Sequence, residues 1–224
     1  MTSSPDSIQK LLTSEDFGDR IHGLNELRTL DAETAWPLLI PLIKDAQVRV
    51  RYAAVSQMDT VGIANVSQAR TLLLDRLHND PEADVRAAAA DAIGALQIRE
   101  AFPDLKRAYE GTSDWLIQMS IIACLGELGA PEGFELLKTA LASPEPLVQL
   151  AAISSLGELQ QPEAIPLLVP FLQHEDWQVR QRLVQAFSCF DQSQVAEYLQ
   201  RLTQDEVDQV ANYARDCLQP SQAD

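Results

Sequence analysis

Three cysteines, three histidines and a column of arginines and glutamines are the residues of this 224-residue chain with the most chemistry to offer. Cys124, Cys189 and Cys217 form an odd set with no CxxC spacing, which argues against a disulfide framework and against a zinc site. Cys124 and Cys217 follow a recurring apolar residue at an offset where other copies of the same phrase carry Ala92, Ser155 and Ala186. A position that accepts Ala, Ser and Cys is a small packing site, so the expectation is a buried thiol and not a reactive one. His22, His78 and His174 lie in three distant parts of the chain, too dispersed for a shared metal or proton relay. None of the patterns GxGxxG, GxxxxGK[ST], HExxH or GxSxG occurs. The residues therefore predict no catalytic centre and no metal site, and binding becomes the leading class of function.

The binding chemistry is periodic. Counting from the recurring apolar residue as offset 0, offset +1 carries Arg20, Arg51, Arg86, Gln118, Gln149 and Arg180, a column of hydrogen-bond donors. Acidic residues precede the recurring position in most copies: Asp45, Asp84, Asp114, Glu145 and Asp176. Two readings stand. The column is a structural ladder in which each Arg or Gln satisfies loop carbonyls and carboxylates, or Arg51, Arg86 and Arg180 present charge-assisted donors to a partner. Offset +2 faces away from the apolar stripe yet holds Tyr52, Met119 and Leu150, a candidate exposed groove, although Gln181 and Asn212 continue that column as polar. Trp115 and Trp177 share offset −2, each preceded by Asp. Either Asp114 and Asp176 cap a helix while the indole covers the loop junction, or the two rings are aromatic anchors at the groove edge.

These residues are positioned by a repeat. The offset-0 residues are Asp19 in a degenerate first copy, then Val50, Val85, Ile117, Val148, Val179 and Val210, with steps of 31, 35, 32, 31, 31 and 31. Seven such units leave almost nothing over for a second domain, and a fixed period of this size means a solenoid. In VRAAAADAIG (85–94), IQMSIIACLG (117–126) and VQLAAISSLG (148–157), offsets 0, +4, +5 and +8 are apolar or small, one face of an amphipathic helix. Gly94, Gly126 and Gly157 then stand where a positive-φ C-cap is expected. A second apolar run follows in each copy, as in AIPLLVPFL (164–172). Pro131 and Pro162 suit the start of such runs, whereas Pro37, Pro41, Pro166 and Pro170 fall deeper and are expected to bend or fray their helices. The fold class is all-α: about seven two-helix repeats, fourteen helices and no strand, as a single solenoid over 1–219 with a short tail at 220–224. The four extra residues of the longest step fall at 61–66, where a loop can absorb them. The end copies, with Asp19 at offset 0 and Ala211 at offset +1, read as caps.

Composition narrows the partners. With 33 acidic against 17 basic side chains the formal charge is −16, which opposes nucleic-acid backbones and anionic bilayers. No apolar run approaches membrane-span length, and MTSSPDSIQK at the start lacks both the basic segment and the apolar core of a signal peptide. The expectation is a soluble, cytoplasmic protein that does not bind nucleic acid and does not insert into a membrane.

The phrases VRYAAVSQM, VRAAAADAIG, LGELGAPEGFELL and LGELQQPEAIPLL resemble the HEAT-like repeats of the phycobilisome lyases. The overall length, the opening SEDFGDRIHGLNELR and the two DW copies resemble more closely the phycobilisome degradation proteins, over essentially the whole chain. Gln118 and Gln149 depart from the consensus Arg, and Ser188 from the consensus Gly. The resemblance implies a right-handed superhelix whose second helices line a concave face. It also implies a phycobiliprotein or phycobilisome subunit as partner, with bilin as a transient ligand at most and no resident cofactor. A non-enzymatic binder that assists phycobilisome breakdown, a bilin lyase or bilin-detaching factor, and a general protein-interaction scaffold are the three functions this allows. The candidate binding residues, read from the repeat offsets and expected on the concave face, are Tyr52, Met119, Leu150, Arg51, Arg86, Arg180, Trp115 and Trp177.

Overall fold

A computed structural model describes residues 4–219, so the expected tail at 220–224 lies outside the described residues. Those residues form helices and contain no strand. In chain order the helices are α1 (Pro5–Leu12), α2 (Phe17–Leu27), α3 (Ala32–Leu39), α4 (Val48–Ser56), α5 (Met58–Val61), α6 (Val66–Asn79), α7 (Ala83–Ala95) and α8 (Phe102–Glu110). They continue with α9 (Trp115–Leu128), α10 (Phe134–Ala140), α11 (Pro146–Leu159), α12 (Ile165–Leu168), α13 (Trp177–Ser188), α14 (Gln192–Leu202) and α15 (Asp208–Leu218). The first helices of the repeat are α2, α4, α7, α9, α11, α13 and α15, and the second helices are α3, α6, α8, α10, α12 and α14. The seventh copy has only its first helix within the described residues, while α1 precedes the first copy. None of these helices is long and apolar enough to cross a membrane.

The chain divides into two compact units, Met1–Cys124 and Leu125–Asp224, with the boundary inside α9. In the first unit α1 packs on α2, and α4 packs on both α2 and α7; in the second, α13 packs between α11 and α15. The periodic face is what these contacts bury. Val50, Ala54, Val55 and Met58 of the second copy are at most 3 % exposed, as are Val148, Ala152, Ile153 and Leu156 of the fifth and Val179, Leu183, Val184 and Phe187 of the sixth. Burying each large apolar side chain stabilises by about 1.5–3 kcal/mol, so the three or four in each of these copies are the dominant favourable contribution to folding. The first copy keeps Gly23, Leu24 and Leu27 buried although Asp19 at offset 0 is exposed, and the last places exposed Arg215 at offset +5. α2 meets α1 and not another repeat on its outer side, and no following copy packs on α15 among the described residues, so both end copies tolerate polar residues on a face that internal copies bury.

The expected glycine caps need correction. Helices α7, α9 and α11 run past Gly94, Gly126 and Gly157, and the positive-φ residues are Gln97, Gly129 and Gln160, all at offset +12. At Gly126 and Gly157, glycine at offset +9 answers a packing requirement instead. A Cβ on Gly157 would stand 2.6 Å from the Cα of Ala186 on α13, and one on Gly126 would meet the Ser155 and Glu158 side chains of α11. In the sixth copy the equivalent Ser188 is exposed, so a side chain fits there.

Pro41 and Pro170 act as expected, whereas Pro37 lies within continuous α3 and Pro166 stands at the start of α12, where a missing N–H costs little. Helix α3 passes at Ile40–Lys44, and α12 at Val169–Gln173, into the tighter 3-10 winding that dispenses with the hydrogen bonds Pro41 and Pro170 cannot make. Pro131 and Pro162 each open a 3-10 turn ahead of α10 and α12. The inserted segment is ordered helix and not a plain loop: α5 leads into a 3-10 turn, Gly62–Asn65, before α6.

Candidate interaction surface

The offset +1 column forms the ladder that its spacing allows. Arg51 donates through Nε and Nη2 to Asp80 at 3.0 and 3.2 Å and through Nη1 to the carbonyls of Asp45 and Ala46. Arg180 repeats this with Asp205 at 2.7 and 2.9 Å and the carbonyls of His174 and Glu175. Arg20 does so with Asp45 and the carbonyls of Ser14 and Glu15. Fork-to-carboxylate geometry with two backbone carbonyls as further acceptors on each guanidinium is the arrangement in which a desolvated ion pair is tolerated. The hydrogen bonds from Arg180 hold the Asp205 carboxyl below the ordinary carboxylate range, and the same bonds hold Arg180 above its own.

The acceptor carboxylates Asp45, Asp80 and Asp205 stand at offset −5 of the following copy. Asp80 and Asp205 are absent from the acidic residues expected to matter, and reading the −5 column across copies would have found them. That column does a second task in every copy. The side chains of Ser14, Asp45, Asp80, Thr112, Ser143, His174 and Asp205 each accept the N–H two residues on, at 2.8–3.2 Å. This Asx-type turn fixes the loop before each first helix. Arg stands at +1 wherever the next −5 residue is Asp, and Gln118 and Gln149 stand where it is Ser143 and His174. Those amides donate to the carbonyls of Thr112 and Leu141. Arg86 is the exception, because the residue facing it in the pattern is Thr112. Its Nε donates to the Leu77 carbonyl at 2.8 Å.

The ladder therefore accounts for Arg51 and Arg180, which are buried, whereas Arg86 is half-buried. Tyr52 and Trp115 are exposed, at 47 % and 42 %, and Met119, Leu150 and Trp177 are half-buried. All eight candidate residues sit on first helices. Tyr52, Arg51, Arg86, Trp115 and Met119 belong to the first unit, and Leu150, Trp177 and Arg180 to the second. Asp114 and Asp176 do cap α9 and α13, accepting from the N–H of Leu116 and Gln178. In the second unit Leu150 borders a cavity of about 290 Å³ shared with Gln178, Gln181, Arg182, Gln185 and Tyr213.

The tryptophans belong to a wider pattern. Offset −2 carries Phe17, Val48, Ala83, Trp115, Pro146 and Trp177 before turning polar at Asp208, and offset +2 carries Ile21, Tyr52, Ala87, Met119 and Leu150 before Gln181 and Asn212. Residues four apart share a helix face, so each of the first five first helices carries an apolar pair, of which Ala87 on α7 is buried. Phe17 and Leu147, at 45 % and 47 % exposure, are further members of this surface that the Trp and Tyr positions alone do not reveal.

Cys124 is buried as expected, but Cys189 and Cys217 are half-buried, and burial pushes both of those thiols up. His22 lies beside Glu26, His78 contacts Asp104 at 3.3 Å, and His174 Nδ1 accepts the Asp176 N–H, three separate local roles. Among the described residues no group of three or more His, Cys, Asp or Glu is placed to hold a metal ion.

The HEAT-repeat family description matches residues 70–146 and again 134–219, together well over half of the chain. The chain belongs to the HEAT-repeat family. Its backbone is similar to the complex of CpcE and CpcF of phycocyanin lyase from Nostoc sp. PCC7120, with 21% identity and a TM-score of 0.65 over 97% of this chain and 94% of that one. It is also similar to YibA of Escherichia coli, at 16% identity and TM-score 0.64 over 92% and 77% of the two chains. A third similar structure is the archaeal HEAT-like repeats protein from Thermococcus onnurineus NA1, at 12% identity and TM-score 0.52 over 97% and 99%. At these identities the shared feature of the HEAT-repeat chains is the fold. No curated protein matches the sequence.

Proposed function

We propose that this HEAT-repeat chain is a non-enzymatic protein that binds phycobilisomes or their phycobiliproteins and assists their breakdown, in the manner of the NblB proteins. The observation that carries the binding part is the exposure of Tyr52 and Trp115 on first helices whose inward faces are fully buried. A large aromatic left in water on a rigid helix is the residue type that anchors protein interfaces. The partner rests on the repeat phrases shared with the phycobilisome lyases and is supported by the near full-length likeness to the CpcE–CpcF complex. That likeness also favours a second reading, a bilin lyase or bilin-detaching factor acting on the bond between chromophore and cysteine.

One experiment separates the readings. The purified chain is mixed with holo- and apo-phycobiliprotein, and co-elution is followed by absorbance. The binding reading expects co-elution with an unchanged chromophore spectrum. Movement of bilin on to or off the phycobiliprotein makes the chain a lyase or detaching factor. Elution apart from both forms leaves a general HEAT-repeat scaffold, attached to proteins unrelated to pigment.

A further inference from the structure

The apolar pairs of the first helices are bordered by carboxylates, and that combination specifies a partner. In the second unit Pro146, Leu147 and Leu150 of α11 and Trp177 of α13 form the apolar part, with Tyr213 of α15 across the cavity from Leu150. The loops that lead into these helices place Glu145, Glu175, Asp176 and Glu206 beside them, and Asp208 takes the −2 position of α15; all five are exposed. Asp176 uses one oxygen to cap α13, and Glu206 lies 3.5 Å from Arg180, yet its side chain is 84 % exposed. The one exposed cation lining the cavity, Arg182, donates to Gln185 Oε1. The first unit repeats the motif with Phe17, Ile21 and Tyr52 beside Glu15 and Asp16.

We propose that the α11–α13–α15 face docks an amphipathic helix rich in lysine or arginine, whose apolar ridge lies on Leu147, Leu150 and Trp177 and whose basic flank lies on the carboxylates. Spacing and charge argue for this occupant. Packed helices stand about 8–10 Å apart, and seven residues of α-helix rise about 10.5 Å, so a helix laid across the stack offers a side chain at i and i+7 to successive first helices. Five exposed carboxylates around an apolar strip attract a cationic flank and repel an anionic one. A second copy of this chain is disfavoured by the same charges, since it would bring identical acidic loops and a formal charge of −16 to the interface. The proposal rests on the reading of the first-helix face as a contact surface and names the chemistry of the partner's contacting segment.

The test uses the full-length chain and three fluorescent peptides of roughly 21 residues, or three heptads. One has leucine at the a and d positions and lysine elsewhere; the second replaces lysine by glutamate; the third keeps the first composition with its leucines scrambled. Anisotropy is recorded at roughly 50 and 300 mM salt, where screening of the charges differs strongly. The basic amphipathic peptide binds, and the acidic and scrambled peptides bind at least about tenfold more weakly. Leu147→Ser with Leu150→Ser weakens binding about tenfold or more at both salt concentrations, whereas Glu145→Lys with Asp208→Lys weakens it chiefly at the lower one. Leu147→Ser alone, at the more exposed of the two leucines, is the variant to read if the pair perturbs folding, which circular dichroism checks.

Equal binding of the acidic or scrambled peptide overturns the proposal, as does a Leu147/Leu150 variant that binds like the parent. Sedimentation of the chain alone as a dimer that the leucine changes dissociate would assign the face to a second copy. A phycobiliprotein that elutes separately while the basic peptide binds removes the partner named above and keeps this surface. A phycobiliprotein that co-elutes while the peptide does not bind does the reverse.

Discussion

Arg51 and Asp80 are 29 residues apart and meet in a two-pronged contact at 3.0 and 3.2 Å, whereas Arg20 to Asp45 and Arg180 to Asp205 span 25. The difference is the four-residue insertion. The added turn between α4 and α6 is absorbed outside the ladder, and the rung closes as in the regular copies. Asp80 also receives Arg76 Nη1 at 2.9 Å and the Glu82 N–H, with its side chain fully buried. Asp80→Ala would leave two guanidinium groups and an amide without their acceptor in a dry site. A loss of roughly 3–5 kcal/mol is expected, measured by urea unfolding. A change below about 1 kcal/mol would mean that the rung contributes no more than an exposed pair.

The rung at Arg180 carries a pH signature. Asp205 has its pKa lowered by the hydrogen bonds from Arg180, so its contribution is complete above the unfolded-state pKa, near 3.8, and is lost as pH falls through the lower folded-state value. Asp205→Asn keeps an acceptor for the Val207 N–H but abolishes the charge. The stability gap between parent and variant is therefore expected to be constant from neutral pH to about 5 and to shrink below about 4. Other lowered carboxylates, such as Asp75 beside Asn79, Arg76 and Lys44, are common to both proteins and cancel. A gap that persists unchanged to about pH 2 would refute ionic linkage at this rung.

Much of the fold was legible because one residue per copy, Val50 through Val210, stays buried and sets the register of everything else. The ladder was half legible. Its donors share a column with a single chemistry, while the −5 acceptors mix Asp, Ser, Thr and His and become intelligible only as turn-formers. The end of the first helix was misplaced because Gly94, Gly126 and Gly157 look like caps in one dimension. What requires glycine at Gly157 is the backbone of Ala186, a contact that no local pattern encodes. The apolar surface was legible at Tyr52, Met119, Leu150 and the two tryptophans, and less so at Phe17 and Leu147, which fill the same face with other residue types.

Arg86 suggests a stabilising change. Its copy of the rung lacks a carboxylate because Thr112 occupies the −5 position, and Thr112 already accepts the Asp114 N–H that an aspartate there would accept. Thr112→Asp is expected to engage Arg86 as Asp80 engages Arg51, raising stability by about 1–2 kcal/mol after desolvation. Thr112→Asn, which can form the turn but carries no charge, is expected to gain little. Equal effects of the two changes in chemical denaturation would show that Arg86 does not reach the site.

The offset +12 position offers an opposite pair. Gln160 holds φ near 54° at the C-cap of α11, a conformation that costs a side-chain-bearing residue about 1–2 kcal/mol. Glycine removes that cost and gives back part of it as unfolded-state entropy, so Gln160→Gly is expected to gain about 0.5–1 kcal/mol. Gly157→Ala, three residues earlier, drives a methyl into the α13 backbone and is expected to lose about 1–3 kcal/mol. Thermal melts of the two variants should move in opposite directions. If Gly157→Ala were neutral, the approach of the α13 backbone would not be what requires glycine at offset +9.

Outward-facing side chains can be changed without opening a cavity, which makes the surface testable apart from the fold. Tyr52→Ser in the first unit with Leu150→Ser in the second is expected to weaken phycobiliprotein binding by roughly 1–4 kcal/mol in total. Tyr52, the more exposed, should leave the melting temperature nearly unmoved, and half-buried Leu150 should lower it only slightly. Arg51→Ala is the informative contrast, because the ladder predicts a stability loss from it whether or not any partner is present. Affinity unchanged in the Tyr52/Leu150 variant, measured on protein shown to be folded, would move the contact away from the first helices. The second helices and the acidic loops would then be the surfaces left to carry it.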